Sequence, residues 1–148
     1  MNQKQLKVLF VCDDNSLLSQ MAEGFFKSFS RQETVFSAGF KPASTIDPNL
    51  GPVMLEDMID VTQYSPKLIS CFQEQSFDLI VFLTDNIPQS ESDILKKEKI
   101  TGFKKEIIAI SQEINAENRF EGTRNIRDEI KNETFKLFKK YFQSKPLV

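Results

Sequence analysis

The sequence predicts an α/β fold, a sandwich in which helices cover both faces of a parallel sheet. Segments with the pattern of strands alternate with helical segments along the chain, which is typical of parallel sheets with right-handed crossovers. Two candidate strands, LKVLFVC and FDLIVFLT, are almost continuously apolar, as expected of strands buried on both faces. Of the 148 residues, 40% are hydrophobic and 27% are charged, a composition that supports a packed core.

Four segments have the composition of strands. They are residues 6–12, 34–38, 77–84 and 106–111, and Gly39 ends the second of them. The first and third contain long apolar runs, so we expect them at the centre of the sheet.

Five segments are predicted to be helical. Residues 16–29 place apolar side chains at helical spacing, with Asn15 or Ser16 able to cap the start. Asp47 can cap a second helix, with a proline at its first position. The predicted ranges are 16–29, 47–58, 66–75, 90–99 (a polar helix or loop) and 119–142.

Composition excludes several classes of function. The net charge is −2 with no long block of one sign, which argues against nucleic-acid binding. No apolar run approaches the length that spans a bilayer, and the N-terminal segment has no small-residue cleavage site. No internal repeat or low-complexity linker interrupts the chain. We therefore expect residues 1–148 to form one cytoplasmic domain with no membrane partner.

The available chemistry is restricted, because the chain has no histidine and only two cysteines, Cys12 and Cys71. Histidine is the commonest general base and the commonest metal ligand. A nucleophile must therefore come from another residue type, and no metal site or cofactor is indicated.

Cys12 stands where a predicted strand ends and a helix begins. Backbone N–H groups and the helix dipole at such a turn favour an oxyanion, and they lower the pKa of a cysteine. Ser19 can donate a hydrogen bond to the thiolate, and Asn15 and Ser16 are suited to holding a tight loop. The alternative is that Cys12 is a buried cysteine that packs as a small hydrophobe.

Several segments resemble the low-molecular-weight protein tyrosine phosphatase family, and above all its thioredoxin-coupled arsenate reductase branch. They are VLFVC, NS, SQMAEGF, SAG at 37–39, FDLIVFLTDN at 77–86 and IRDEI at 126–130. The resemblance implies a three-layer sandwich whose four-stranded parallel sheet has a flavodoxin-like order. It also implies that Cys12 is the nucleophile of a Cys-x5-Arg-Ser loop.

The loop departs from that pattern at the positions that bind and cleave. Leu18 stands where the arginine is expected, before Ser19, and leucine cannot clamp an oxyanion. Asp13 and Asp14 occupy positions of small residues, where they would repel a dianion and raise the pKa of Cys12. Losing such a clamp typically costs on the order of 100-fold to 1,000-fold in rate.

Other parts that the resemblance implies are also absent. The general-acid Asp-Pro is replaced by Gln112-Glu113 after EIIAIS, or by Lys105-Glu106 in another register, which leaves Glu113 as a weak candidate acid. The two redox cysteines expected after the third strand are missing, and Thr84 stands at the first of them. Cys71 lies earlier in the chain, and we expect it to face the core.

Three hypotheses remain. In the first, the loop Asp13, Asp14, Asn15, Ser16, Leu17 and Leu18 belongs to a catalytically impaired binding or regulatory module, whose partner is a protein or a phosphate-like anion. In the second, Cys12 still acts as the nucleophile of a phosphatase or arsenate reductase, and Arg124 or Arg127 supplies charge. In the third, Asp13, Asp14 and Asp85 bind a cation. A protein partner would be expected at the rim formed by residues 40–47 and 88–106.

Overall fold

The structure is a computed structural model that describes residues 6–30, 34–83, 89–110, 114 and 117–142, with backbone alone for 89–92. Strands and helices alternate through most of this length. The elements are β1 (Val8–Cys12), α1 (Leu18–Ser30), β2 (Val35–Gly39), α2 (Leu50–Leu55), a 3₁₀ turn (Ile69–Phe72), β3 (Ser76–Leu83), α3 (Gln89–Lys97), β4 (Thr101–Ile108) and α4 (Arg119–Phe142).

The four strands form one parallel sheet in the order β2-β1-β3-β4. Strand β1 lies between β2 and β3, and all five of its residues are buried. That position explains its continuous apolar sequence, because a central parallel strand is covered on both faces. The predicted α/β class, the parallel four-stranded sheet and its flavodoxin-like order are confirmed.

Two apolar clusters cover the two faces of the sheet. One face presents Val8 and Phe10 of β1 to α1 and α4, and the aromatic ring of Phe26 packs edge-on against that of Phe10. The other face presents Leu9 and Val11 to the 3₁₀ turn and to α3. The sheet is therefore the middle of three layers, and its carboxyl edge remains available for a site.

Two predicted elements differ from the observed ones near the middle of the chain. The helix expected over 66–75 is only the turn Ile69–Phe72, because Leu68 is extended and forms a parallel bridge with Gly39. The helix expected over 47–58 covers only Leu50–Leu55. Asp47 does not cap it, since its carboxylate accepts a hydrogen bond from the Asn49 N–H ahead of the helix.

The fourth strand begins five residues before its predicted start, at Thr101 rather than 106. Its middle carries the exposed side chains of Lys104 and Lys105, because β4 is an edge strand that pairs only with β3. Edge strands lack the continuous apolar pattern that reveals central ones. Among the described residues, no helix is both long and apolar enough to cross a membrane.

Candidate functional site

The candidate site lies at the carboxyl edge of the sheet, where β1 ends at Cys12 and α1 begins at Leu18. Cys12 pairs in register with Gly39 at the end of β2. In open α/β sheets this edge is where ligands bind. Residues 13–18, which lie between Cys12 and Ser19, form the Cys12 loop.

The Cys12 thiol is buried, with 5% of the residue exposed. Its Sγ lies 2.9 Å from the Ser19 Oγ and accepts a hydrogen bond of 3.3 Å from the Asn15 N–H. Burial raises the pKa of Cys12, hydrogen bonds from Ser19 and Asn15 act to lower it, and the Asp14 charge adds to the increase. The net shift is upward, so the resting group is the neutral thiol.

Asn15 holds the loop from the inside. It is fully buried and has a φ of 55°, a left-handed conformation that asparagine tolerates better than most residues. Its Nδ2 donates to Ser19 Oγ (2.7 Å) and to Ser37 Oγ (3.0 Å), and its Oδ1 accepts from the Lys67 N–H (2.7 Å). The loop is thereby fixed to α1, to β2 and to the segment before the 3₁₀ turn.

A buried polar chain continues from Asn15 into helix α1. The Ser37 hydroxyl donates to Glu23 Oε1 at 2.6 Å, and Lys27 Nζ lies 2.7 Å from Glu23 Oε2. Gln20, also fully buried, donates to the Asn15 carbonyl at 2.9 Å and to the Ser65 carbonyl at 3.0 Å. These hydrogen bonds pair most of the polar atoms of the network, which would otherwise be costly inside a core, but the buried Gln20 Oε1 has no partner among the described residues.

Sequence reasoning missed Gln20, Glu23, Ser37 and Lys67 as members of this network. A signal existed for the two residues of α1: polar side chains at positions 20 and 23 lie within a run of apolar helix residues. A buried polar residue needs a partner, and the partners here come from other elements. Lys67 had no such signal, because it contributes only its backbone N–H.

The two loop aspartates are exposed and differ in their contacts. The Asp14 Oδ1 accepts a hydrogen bond of 3.0 Å from the Ser16 N–H. The Asp13 carbonyl oxygen accepts from the Lys41 N–H at 2.8 Å. The side chain of Asp14 is thus bound to a loop amide.

The side chains of Leu17 and Leu18 provide no polar group to the site. Leu17 is buried and Leu18 is half-buried, and both belong to the apolar cluster between the sheet and α1. Leu18 is the first residue of α1, where the resemblance to the phosphatases implies an arginine. Its side chain contributes to core packing and provides no charge.

Residues 40–47 pack directly against the Cys12 loop. The N–H groups of Ala43 and Asp47 donate to the carbonyl oxygens of Asp14 and Ser16, each at 2.9 Å. Gly39 approaches so closely that an added Cβ would lie 2.9 Å from the backbone of the loop. This part of the expected rim therefore borders the site.

Other candidates from the sequence are not brought to the loop. Arg124 and Arg127 both contact the Glu56 carboxylate, and Arg127 also donates to the Val53 carbonyl at 3.0 Å. They tie α4 to α2. Cys71 is exposed, so the expectation that it faces the core was wrong. The reason is that residue 71 lies on a short 3₁₀ turn and not on the longer amphipathic helix predicted there.

Glu113, Thr84 and Asp85 lie outside the described residues. Within the part of the chain that the structure describes, no group of three or more histidine, cysteine or carboxylate side chains is arranged to hold a metal ion. Because Asp85 is a member of the expected cation site and lies outside the described residues, that hypothesis stays a prediction.

Comparison with known proteins gives one consistent family. The sequence model described as "Low molecular weight phosphotyrosine protein phosphatase" matches residues 7–145. An arsenate reductase of Bacillus subtilis (strain 168) is 32% identical over 130 residues, which cover 84% of this chain and 89% of that protein. A glutaredoxin arsenate reductase of Synechocystis sp. is 32% identical over 77 residues, 52% of this chain and only 59% of that protein.

Solved structures agree with this result. A structure described as "An arsenate reductase in the phosphate binding state" superposes with a TM-score of 0.71 at 26% identity, covering 92% of this chain and 98% of that one. The tyrosine phosphatase Wzb from Escherichia coli K30 in complex with sulphate shares the fold, with a TM-score of 0.65 at 14% identity over 92% of this chain and 99% of that one. The chain belongs to the low molecular weight phosphotyrosine protein phosphatase family, near its arsenate reductase branch.

Proposed function

We propose that this chain is a catalytically impaired member of its family that serves as a binding or regulatory module. The observation that carries the proposal is the set of residue types in the Cys12 loop. Between Cys12 and Ser19 the sequence has two aspartates and two leucines but no arginine or lysine. A phosphoryl or arsenyl group brings two negative charges, and transition-state stabilisation of such groups relies on preorganised positive charge.

The state of the nucleophile supports the proposal. The thiolate, rather than the thiol, is the reactive form of cysteine. Burial raises the pKa of the Cys12 thiol, whereas catalytic cysteines of this type have a lowered pKa. The charge of Asp14 acts in the same direction as burial.

Replacement of the missing arginine from elsewhere in the chain is also disfavoured. Arg124 and Arg127 were the candidates, and both form ion pairs with Glu56, the residue that follows α2. Their guanidinium groups hold the pKa of Glu56 at about 2, well below its ordinary value. Moving either arginine to the Cys12 loop would break its ion pair with the Glu56 carboxylate.

The alternative is an active phosphatase or arsenate reductase that uses Cys12 as nucleophile. One observation favours it: the Ser19 and Asn15 hydrogen bonds to Sγ remain, and they stabilise a thiolate. The arsenate reductase form of this alternative is weaker. The resemblance implies two further redox cysteines, and Cys71, on the 3₁₀ turn, is the only other cysteine in the chain.

A binding role places the partner surface at the mouth of the loop. Residues 40–47 are joined to the Cys12 loop by backbone hydrogen bonds, so this rim lies beside the exposed residues Asp13 and Asp14. The partner is a protein or a phosphate-like anion. The former suits the acidic loop better, because basic side chains complement exposed carboxylates.

The test is hydrolysis of para-nitrophenyl phosphate from pH 5 to 8 by the unmodified protein, Cys12→Ser and Asp13→Thr/Asp14→Gly/Leu18→Arg. We expect no Cys12-dependent turnover by the unmodified protein and measurable turnover by the triple variant, whose loop regains a cation. Turnover by the unmodified protein that is lost in Cys12→Ser would contradict the proposal and support the alternative. Arsenate reduction with thioredoxin or glutaredoxin as electron donor tests the second form of the alternative.

A further inference from the structure

Strand β4 leaves one of its two edges unpaired among the described residues. It is eight residues long, contains no proline and pairs with β3 alone. Two large apolar side chains on it are exposed, Phe103 at 83% and Ile107 at 55%. The unpaired N–H and C=O groups of a long edge strand are a template for a further strand, and exposed apolar groups favour such pairing. The outer edge of β4 therefore has the features of a surface to which another strand pairs.

The exposed charge of this strand is positive. Lys104 and Lys105 are adjacent, and both are exposed. Glu106 is the only carboxylate of the strand, and it is bound by Lys140 and by the Tyr141 hydroxyl of α4. A chain that pairs with β4 thus meets two ammonium groups, and the strand offers no unbound carboxylate to offset them.

A second copy of the chain fits this edge poorly. Side chains alternate along a strand, so Phe103, Lys105 and Ile107 share one face. If two β4 strands paired in antiparallel fashion with Phe103 opposite Ile107, each Lys105 would lie directly opposite the other. Like charges in that position destabilise a pair of strands. Charge complementarity therefore favours a partner that is acidic.

We propose that the outer edge of β4 is a docking site for an extended, acidic segment of another protein, which pairs with it as an additional strand. Strand addition derives affinity from main-chain hydrogen bonds and specificity from alternate side chains. The segment has apolar residues opposite Phe103 and Ile107, and acidic residues opposite Lys104 and Lys105. Cross-strand pairs of both kinds stabilise a sheet.

This surface is separate from the Cys12 loop. The strands run parallel, so Phe103, near the start of β4, lies towards the amino edge of the sheet, whereas Cys12 ends β1 at the carboxyl edge. Strand β3 also lies between β1 and β4. The inference therefore goes beyond the proposed function and does not depend on whether Cys12 is active.

The probe is the synthetic peptide Ser-Val-Thr-Glu-Glu-Val-Ser, blocked at both ends and titrated into the full-length protein. In an antiparallel arrangement its valines face Ile107 and Phe103, and its glutamates face Lys105 and Lys104. The control peptide has lysines in place of the two glutamates. We expect the acidic peptide to bind at least about tenfold more tightly than the control, since two attractive charge pairs replace two repulsive ones. The amide resonances of residues 101–108 should shift most.

Substitutions on the strand test the two kinds of contact. Lys104→Glu/Lys105→Glu should reverse the preference between the two peptides, and Phe103→Thr should weaken the binding of the acidic peptide. All three side chains are exposed, so these variants should keep the fold. Lys136→Glu/Lys139→Glu is the matched control, because it makes the same change of net charge at exposed positions of α4. It should leave the preference unchanged.

Two N-methylated forms of the acidic peptide test the backbone pairing. Methyl groups on alternate amides block either the N–H groups that face β4 or those that face away from it, so one form should lose binding and the other should keep it. Loss or retention of binding in both forms would overturn the proposal, and so would equal affinity for the acidic and control peptides or no binding of either.

A dimer of the unmodified protein in sedimentation that is lost in Phe103→Thr would also overturn the proposal, because the occupant would then be a second copy. A monomer in both proteins is the expected result. None of these measurements involves turnover, so their failure is distinct from the appearance of Cys12-dependent activity in the unmodified protein.

Discussion

The Sγ of Cys12 lies 2.9 Å from the Oγ of Ser19 inside the first turn of α1. Because Asn15 already donates to that oxygen, the Ser19 hydroxyl hydrogen is free to point at the sulfur. The contact stabilises the thiolate, yet burial outweighs it and the pKa of Cys12 remains raised. The pair therefore combines a hydrogen bond that favours the thiolate with a thiol that stays protonated at neutral pH.

Ser19→Ala should raise the pKa of Cys12 further, because the hydrogen bond that opposes burial is lost. It should also destabilise the protein by about 1–3 kcal/mol, since the buried Asn15 amide loses an acceptor. The measurement is the pH dependence of Cys12 alkylation in a Cys71→Ser background, together with urea unfolding. Ser37→Ala is the matched control, because it removes the other acceptor of Asn15 Nδ2 without contacting Sγ. An equal pKa change in both variants would contradict the assignment.

The two cysteines should differ in reactivity in the folded protein. Cys71 is exposed, whereas Cys12 is buried and its pKa is raised. Iodoacetamide at pH 7 should label Cys71 at least about tenfold faster than Cys12, because the thiolate is the reacting form. Peptide mass mapping measures the two rates, and in urea they should converge. Faster labelling of Cys12 in the folded state would indicate an activated nucleophile and would count against the proposed function.

Gly39→Ala should destabilise the protein by about 1–3 kcal/mol through overpacking. An added Cβ would lie 2.9 Å from the Asn15 nitrogen, the Asp13 oxygen and the Asp14 carbonyl carbon, all of which are backbone atoms that cannot move aside cheaply. Gly51→Ala is the control, because a Cβ there meets nothing within 4 Å. Lying in helix α2, that substitution should stabilise by about 0.5–1 kcal/mol. Thermal unfolding of both variants tests the pair, and equal effects would rule out the contact as the cause.

Glu56→Gln should lower stability at pH 7, and the loss should shrink in acid. Hydrogen bonds from Arg124, then from Arg127, lower the pKa of Glu56 from 4.5 to about 2. A carboxyl group with a lowered pKa stabilises the fold above its unfolded value, and the contribution is lost as the pH falls from about 4.5 towards about 2. Urea unfolding at pH 7, 4 and 3 measures the difference in unfolding free energy between the variant and the unmodified protein. Solvent screening of these charges should keep that difference small.

The control for this substitution is Glu121→Gln. Glu121 also faces Arg124, but at 3.4 Å and with 53% of its side chain exposed. Glu121→Gln should therefore lower stability at pH 7 by less than Glu56→Gln does. If the loss of stability in Glu56→Gln did not change with pH, the two arginines would not be lowering the pKa of this carboxylate.

Elements with strong local patterns were predictable from the sequence. The long terminal helix was expected over 119–142 and is observed at Arg119–Phe142. The turn Ile69–Phe72 and the first half of β4 were not predicted, because an extended bridge at Leu68 and an edge position override local preference. The exposure of Cys71 was not predicted for the same reason, because this residue lies on that short turn and not on a longer amphipathic helix.

By itself the sequence determined that Cys12 stands between a buried strand and a helix, beside two carboxylates and without an arginine. These features depend on residues close together in the chain. Only the tertiary structure decided that Ser37, Glu23 and Lys67 support the loop, that Glu56 engages the two arginines, and that Asp14 binds the Ser16 amide. The physical reason is that burial and hydrogen-bond pairing depend on which elements the sheet order brings together, and this order is not encoded in any short segment.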